Sequence, residues 1–305
     1  MISPVLMEKI MEIPNFAVFI LTHGRADKVV TYKALRKQKY TGKIYIVIDN
    51  EDDQEEEYRK VYGDEVIVFD KLAISKKFDT GDNFSDRRTI VYARNACFEI
   101  AQDLGVKYFL ELDDDYLDFV YKFNSKLEYS DRAILNLDRV FDMMIKYYKS
   151  TNALSIAMAQ GGDFIGGKKG GYAVELRPRR KAMNTFFCDV DRPFYFTGRI
   201  NEDVNTYTNL GSRGFLFLTI PNIAINQKTT QSNKGGMTDV YLASGTYLKS
   251  FYSVMYSPSS VKISTMGDKH KRIHHKVSWN NAVPVILREE WKKKIYNKVN
   301  SSSEN

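Results

Sequence analysis

The first strand signal is a run of six apolar residues, Phe16 to Leu21. A run without alternation suits a strand buried on both faces of a parallel sheet. It ends in a polar turn, Thr22-His23-Gly24-Arg25. Val29 to Lys39, apolar or aromatic at Val29, Tyr32 and Leu35, predicts a helix. A second strand, Lys43 to Ile48, stops at Asp49, residues 54–62 read as an exposed acidic helix, and Val66 to Phe69 forms a third strand closed by Asp70. Strands and helices alternating at this spacing imply crossover units and a parallel sheet. Residues 75–88, rich in Gly, Asp, Asn and Ser, read as a loop.

The strongest helix follows, from Thr89 to Leu104, with Ile90, Ala93, Cys97, Ile100, Ala101 and Leu104 as its apolar positions and Gly105 as its stop. Val106 to Leu112 is a fourth strand that runs straight into Asp113-Asp114-Asp115. Residues 131–148 predict another amphipathic helix. Beyond it the pattern changes: glycine pairs at 161–162, 166–167 and 170–171 suggest hairpins and loops, strands are expected near 172–177, 184–190 and 215–220, a short helix over Val204 to Leu210, and a loop over 228–240. The expected architecture is α/β and Rossmann-like, a mostly parallel sheet with flanking helices and a mixed second half. Residues 1–15 read as an extension, 16–291 as one domain divided into 16–130 and 131–291, and 292–305 as a basic, partly disordered tail.

Hydrophobic content of 43% and charged content of 27% over 305 residues fit a soluble globular enzyme. Charge is uneven. The net value is +7, and residues 166–199 carry eight Lys/Arg against three Asp/Glu, while 261–298 carry ten against three. Two basic blocks in the second half favour a phosphate-rich partner. Cys97 and Cys188 alone cannot make a disulfide framework or a cysteine metal cluster. No stretch reaches the ~20 apolar residues that span a bilayer, and the start lacks a signal-peptide pattern, so a cytoplasmic protein with no membrane association is expected. Neither a phosphate-binding Gly-x-x-x-x-Gly-Lys-Ser/Thr loop nor a Gly-x-Ser-x-Gly elbow occurs, which leaves P-loop ATPase and serine hydrolase chemistry unsupported.

Three carboxylates in a row at the end of a buried strand repel one another, and each costs free energy if buried unpaired. A divalent cation relieves both problems, and Mg²⁺ or Mn²⁺ needs only one or two carboxylates plus substrate phosphates. The carboxyl end of a strand is also where open α/β sheets bind ligands. Glu202-Asp203, ahead of the Val204–Leu210 helix, sits where a helix N-terminus favours the ionised carboxylate, as a general base requires. His270, His274 and His275 gather three of the four histidines among Lys269, Lys271, Arg272 and Lys276. They could touch phosphate or ligate metal, and since neighbours on a strand point opposite ways, one of His274 and His275 is expected to do so.

The Thr-His-Gly-Arg turn, Asp49 after the second strand and the Asp-x-Asp of Asp113 and Asp115 together resemble a GT-A-type glycosyltransferase. More narrowly, Phe16–Asp49, Tyr108–Tyr116 and Arg272–Trp279 resemble the TET-associated glycosyltransferases of bacteriophage DNA-modification systems. The resemblance implies sugar transfer from a nucleotide diphosphate sugar, a UDP-sugar foremost, to a hydroxymethylated pyrimidine in DNA. It implies Asp115 and Asp113 at a Mn²⁺ or Mg²⁺ ion with His274 or His275. The donor would be held by Thr22, His23, Gly24, Arg25, Asp49, Arg87, Arg94, Asp113 and Asp114. Asp203 would be the base, with Glu202 beside it. A glycan, lipopolysaccharide or protein acceptor, or a catalytically silent DNA-binding module, are the alternatives. No obligate protein partner is indicated.

Overall fold

The structure is a computed structural model that describes residues 15–82, 87–174, 178–227, 237–266, 271–287 and 289. The first half follows the pattern closely: β1 (Phe16–Leu21), α1 (Val30–Lys37), β2 (Lys43–Asp49), α2 (Glu55–Tyr62), β3 (Val66–Phe69), α3 (Lys71–Ser75), α4 (Val91–Asp103) and β4 (Tyr108–Asp113). Next come β5 (Tyr116–Phe123), β6 (Tyr129–Ala133), α5 (Leu137–Ser150), β7 (Ser155–Gln160), α6 (Gly171–Val174) and β8 (Thr185–Asp189). The described chain finishes with α7 (Glu202–Ser212), β9 (Phe217–Gln227), α8 (Met237–Tyr256), β10 (Val261–Met266), β11 (Arg272–Val277) and α9 (Trp279–Ala282).

Nine strands form one sheet in the order β3-β2-β1-β4-β8-β7-β9-β5-β6. From β3 through β4 every pairing is parallel, as the continuous apolar runs require. Beyond β4 the sheet is mixed: β8 lies antiparallel to both β4 and β7, β7 and β9 are parallel, and β5 is antiparallel to β9 and β6. The fold is the expected α/β arrangement, with a sheet that is parallel in its first half and mixed in its second.

Period-two alternation divides the core. Phe16, Val18 and Ile20 of β1 face α1, α2 and α5, whereas Ala17, Phe19 and Leu21 face α4 and α7. Helix α5 supplies Leu137, Val140, Phe141, Met144, Ile145 and Tyr148 to the first layer at helical spacing, and Asn136 caps it by accepting from the Arg139 amide. Helix α4 is buried almost all round, polar Arg94 and Asn95 included. Cys97 and Cys188 are both free and buried. Among the described residues no helix is long and apolar enough to cross a membrane.

Several expectations fail. The helix expected from 131 begins at Leu137, because Tyr129–Ala133 pairs with β5 as an edge strand. The glycine pairs do not make hairpins: they form two 3-10 turns and α6, where a strand was expected. Residues 71–75, just ahead of the expected loop, are helical because Asp70 accepts from the Ala73 amide and caps them. The loop expected over 228–240 ends sooner, since α8 begins at Met237; residues 228–236, the tail from 290 and His270 lie outside the described residues.

Candidate active site

The Asp triplet is fixed by α1. The Thr31 hydroxyl donates to the Asp113 carbonyl at 2.6 Å and accepts from the Tyr116 amide at 2.9 Å, and the Thr31 amide donates to the Asp114 carbonyl at 3.1 Å. One fully buried side chain thereby locks the turn between β4 and β5. Asp114 points inward: its carboxylate accepts from the Thr22 hydroxyl at 2.7 Å and from Arg25 at 3.2 Å. Burial raises its pKa, opposed by Arg25 and the Thr22 hydroxyl. Thr22, Arg25 and Asp114 therefore tie β1 to the end of β4.

The rest of the β1 turn leans on the acidic stretch after β2. His23 Nδ1 lies 2.9 Å from Asp49, the Gly24 amide donates to Asp52 at 2.8 Å and the Arg25 amide to the Tyr58 hydroxyl at 2.8 Å. Gly24 has φ +64°, a left-handed conformation that glycine adopts without strain, and a Cβ there would meet nothing within 4 Å. The hydrogen bond that the Asp49 carboxylate accepts from His23 raises the His23 pKa above its ordinary value. Burial opposes ionisation of Asp49, but the His23 bond and the Lys71 charge outweigh it and hold its carboxyl low. Lys71, 5% exposed and 3.2 Å from Asp49, was not singled out in the sequence; neither were Thr31, Asp52 and Tyr58. Arg87 reaches the same corner by donating from Nε to Glu51 at 2.9 Å. The acidic helix over 54–62 is exposed as expected, except at Tyr58, which is wholly buried.

Arg94 is the hinge of the site. It is not a surface charge: its side chain is 1% exposed, over the rings of Phe186 (4.9 Å) and Phe196 (5.8 Å). It donates from Nη2 to Asp113 at 2.9 Å, from Nε to Glu202 at 3.1 Å and from Nη1 to Glu111 at 3.4 Å. Its neighbour Asn95 exchanges two hydrogen bonds with the Phe196 backbone, holding the segment that leads into α7. Asp113 at the strand end and Glu202 of the acidic pair, 89 residues apart in sequence, are therefore gripped by one guanidinium.

One cation facing three carboxylates leaves a deficit of positive charge. Burial pushes the Glu111 carboxyl up to about 8, against Arg94. Burial likewise raises Asp113 to about 7, again against Arg94, with Asp115 and Glu202 adding to the rise. Asp203 is 8% exposed, and burial followed by the Glu202 charge lifts it to about 6. It sits in the first turn of α7, preceded by Asn201 at φ +56°. The Asn201 side chain does not cap the helix. Its amide instead donates to the Lys249 carbonyl at 2.6 Å and to Ser253 Oγ at 3.1 Å, and lies 3.2 Å from His275 Nδ1.

The histidine pair thus comes to the acidic pair through Asn201. The imidazoles of His274 and His275 do not splay to opposite sides; their centroids are 4.3 Å apart, under helix α8, which packs on β11. Burial lowers both, His275 to about 4, so both are neutral near pH 7. Among the described residues no three His, Cys, Asp or Glu side chains converge into a ready-made metal cage. Asp113 with Asp115 suits an ion of the Mg²⁺ type, which takes one or two carboxylates and fills its shell from phosphates and water. The uncompensated charge around Arg94 is what such an ion would balance.

Among solved structures the chain is similar to S. aureus TarS, at 12% identity over 70% of this chain and 36% of that one, with a TM-score of 0.41. It thus spans about a third of TarS. It is also similar to glucosyl-3-phosphoglycerate synthase from Mycobacterium tuberculosis, solved with Mg²⁺ and UDP (8% identity, 90% and 92% covered, TM-score 0.44). A third likeness is to the mannosyltransferase PcManGT from Pyrobaculum calidifontis, solved with GDP-Man and Mn²⁺ (11%, 80% and 73%, 0.43). No curated protein matches the chain. The family model for TET-Associated Glycosyltransferase matches residues 16–236, most of the chain, and the protein belongs to that family.

Proposed function

We propose that the protein moves a sugar from a nucleotide diphosphate sugar, a UDP-sugar, to the hydroxyl of a 5-hydroxymethyl-type pyrimidine in DNA. The observation that carries this reading is Arg94, which holds Asp113 of β4 and Glu202 of α7 in one site. Residues 16–291 act as one catalytic unit, with 16–130 receiving the donor and 131–291 supplying the base and the acceptor surface.

His23, Gly24 and Asp49 face the nucleoside end of the donor, with Lys71 and Arg87 keeping that corner charged and ordered. Thr22, Arg25 and Asp114 hold the turn rigid beneath it. Asp113 and Asp115 would hold Mg²⁺ or Mn²⁺, which supplies charge neutralisation for the leaving diphosphate. His274 or His275, neutral near pH 7 and with His275 tied to Asn201, would add one imidazole ligand to that ion. Asp203, ionised near pH 7, takes the acceptor hydroxyl proton as the oxygen bonds to the anomeric carbon. The bond from that carbon to the diphosphate oxygen breaks, and its electron pair leaves with the nucleotide.

The test incubates the protein with Mn²⁺, a panel of UDP-sugars, and hydroxymethylated or plain DNA. UDP release with a sugar-sized mass gain confined to hydroxymethylated DNA is the expected result. UDP release with no gain on DNA would move the acceptor to a glycan or protein, and no release with any donor would remove the enzymatic reading.

A further inference from the structure

The hairpin β10–β11 stands outside the main sheet, and its charge is one-sided. In its register Lys262 lies opposite Lys276, Ser264 opposite His274, and Met266 opposite Arg272. These six share a face, since alternate residues of a strand point the same way. Lys262, Arg272 and Lys276 are all exposed. Like charges directly opposite in an antiparallel pair destabilise it. Among the described residues no carboxylate forms an ion pair with any of the three, and the described hairpin contains no Asp or Glu. A face that carries like charges against its own stability, with no carboxylate partner among the described residues, suits an anion brought by a partner molecule.

The hairpin is also fastened to the helix that carries the acidic pair. His275, whose ring lies against that of His274, reaches Asn201 immediately before Glu202. Just past β11, Trp279 stacks on Tyr207 of α7, centroids 5.5 Å apart at 20°. The charge of Lys249 acts on Asp203, His274 and His275 alike. From Arg272 to Lys276 the cations extend over ~13 Å of strand, at ~3.3 Å per residue. That length suits successive phosphates along a nucleic-acid strand, at ~3.4 Å of rise per nucleotide, and exceeds what one compact diphosphate needs.

We propose that the Lys262–Arg272–Lys276 face grips the sugar-phosphate backbone of the acceptor DNA and delivers the modified base to Asp203. This rests on the DNA-acceptor reading above. The test compares the full-length protein with K262E/K276E, measuring binding to fluorescent hydroxymethylated duplex DNA by anisotropy from 50 to 300 mM salt, as ~fourfold to sixfold steps suffice to define a slope. UDP-sugar affinity with Mn²⁺ is measured alongside. Both side chains are exposed, so folding should be retained, and circular dichroism checks this.

The expected result is a loss of affinity for DNA of more than ~10-fold and a log–log salt slope shallower by ~2, at ~0.9 per phosphate contact, with donor affinity unchanged. If the wild type glycosylates DNA but the double variant binds it with the same affinity and slope, the hairpin assignment is overturned and the acceptor reading stands. A fall in donor affinity with DNA binding intact would assign the face to the donor diphosphate and overturn it as well. A wild type that neither binds nor modifies DNA removes both readings. Hairpin-dependent DNA binding without transfer would support the hairpin and remove the reaction.

Discussion

Replacing Arg94 by methionine removes the one cation that three buried or half-buried carboxylates share. Methionine keeps most of the volume and the contact with Phe186 and Phe196, so the effect is electrostatic rather than a cavity. Removing one partner of a buried ion pair costs about 3–5 kcal/mol, because the charge left behind is neither solvated nor paired. At ~2–3 °C per kcal/mol for a chain of this size, the melting temperature should fall by about 6–15 °C near pH 8. The loss should depend on pH with a definite sign. Glu111 and Asp113 already titrate near 8 and 7 in the fold, above their ordinary values of 4.5 and 3.8. A carboxyl raised by folding binds protons that the unfolded chain has released. Its stabilising protonation is complete below the unfolded value and lost as pH rises through the folded one. Without Arg94 the folded values rise further, so the deficit of the variant should be largest at pH 8 and shrink toward pH 5. Thermal unfolding followed by circular dichroism at both pH values, for wild type, R94M and R94K, measures this. Lysine restores charge without the fork that reaches three acceptors, and should recover only part of the loss. A deficit below ~1 kcal/mol, or one equal at both pH values, would refute the account of Arg94 as the shared counter-charge.

Asp203→Asn should abolish transfer while UDP-sugar affinity stays within about twofold, since ~0.4 kcal/mol is the scale of an untouched contact. In the wild type, kcat should fall on the acid side with an inflection near pH 6, where the raised Asp203 carboxyl takes up its proton; a flat profile from about pH 5 to 8 would exclude it as the base. Asp115→Asn should remove the Mn²⁺ dependence of donor binding in calorimetry, and retention of that dependence would put the ion elsewhere. Gly198→Ala should lower the urea midpoint, equivalent to ~1–3 kcal/mol. At φ +82° its Cβ would stand 2.4 Å from Asn205 Nδ2 and 2.7 Å from Tyr256, so the turn ahead of α7 must shift; an unchanged midpoint and kcat would show that it yields freely.

The parallel strands were legible because burial on both faces leaves an unbroken apolar run: β1 and β3 match residue for residue, and β2 to within one. Strand β5 was not, since Tyr116–Phe123 mixes Asp118 and Lys122 into its alternation and follows directly on the Asp turn. Its partner β6, exposed over its last residues, carries almost no hydrophobic signal. The candidate residues were found by type and position, but their roles depend on partners far away in sequence. Arg94 on a helix pattern reads as solvent-facing, and only Glu111, Asp113 and Glu202 make its burial tolerable. Asp114 is indistinguishable from its neighbours until Thr22 and Arg25 claim it. Thr31 could have been suspected as a polar residue on the inner side of α1, while nothing local marks Lys71.

The strand order also dictates when the site can exist during synthesis. Strand β4 is flanked by β1 and β8, and β5 by β9 and β6, so the Asp turn joins two strands whose inner neighbours are made much later. Asp113 leaves the ribosome more than a hundred residues ahead of the end of β9. At ~5–20 residues per second, the nascent chain carries an unseated β5 for roughly 6–20 s and, until β8 is complete, an open β4 edge for roughly 4–15 s. Throughout that interval the apolar strand ending in the aspartates is a sticky template, and a fragment cut before Thr185 would keep it so permanently.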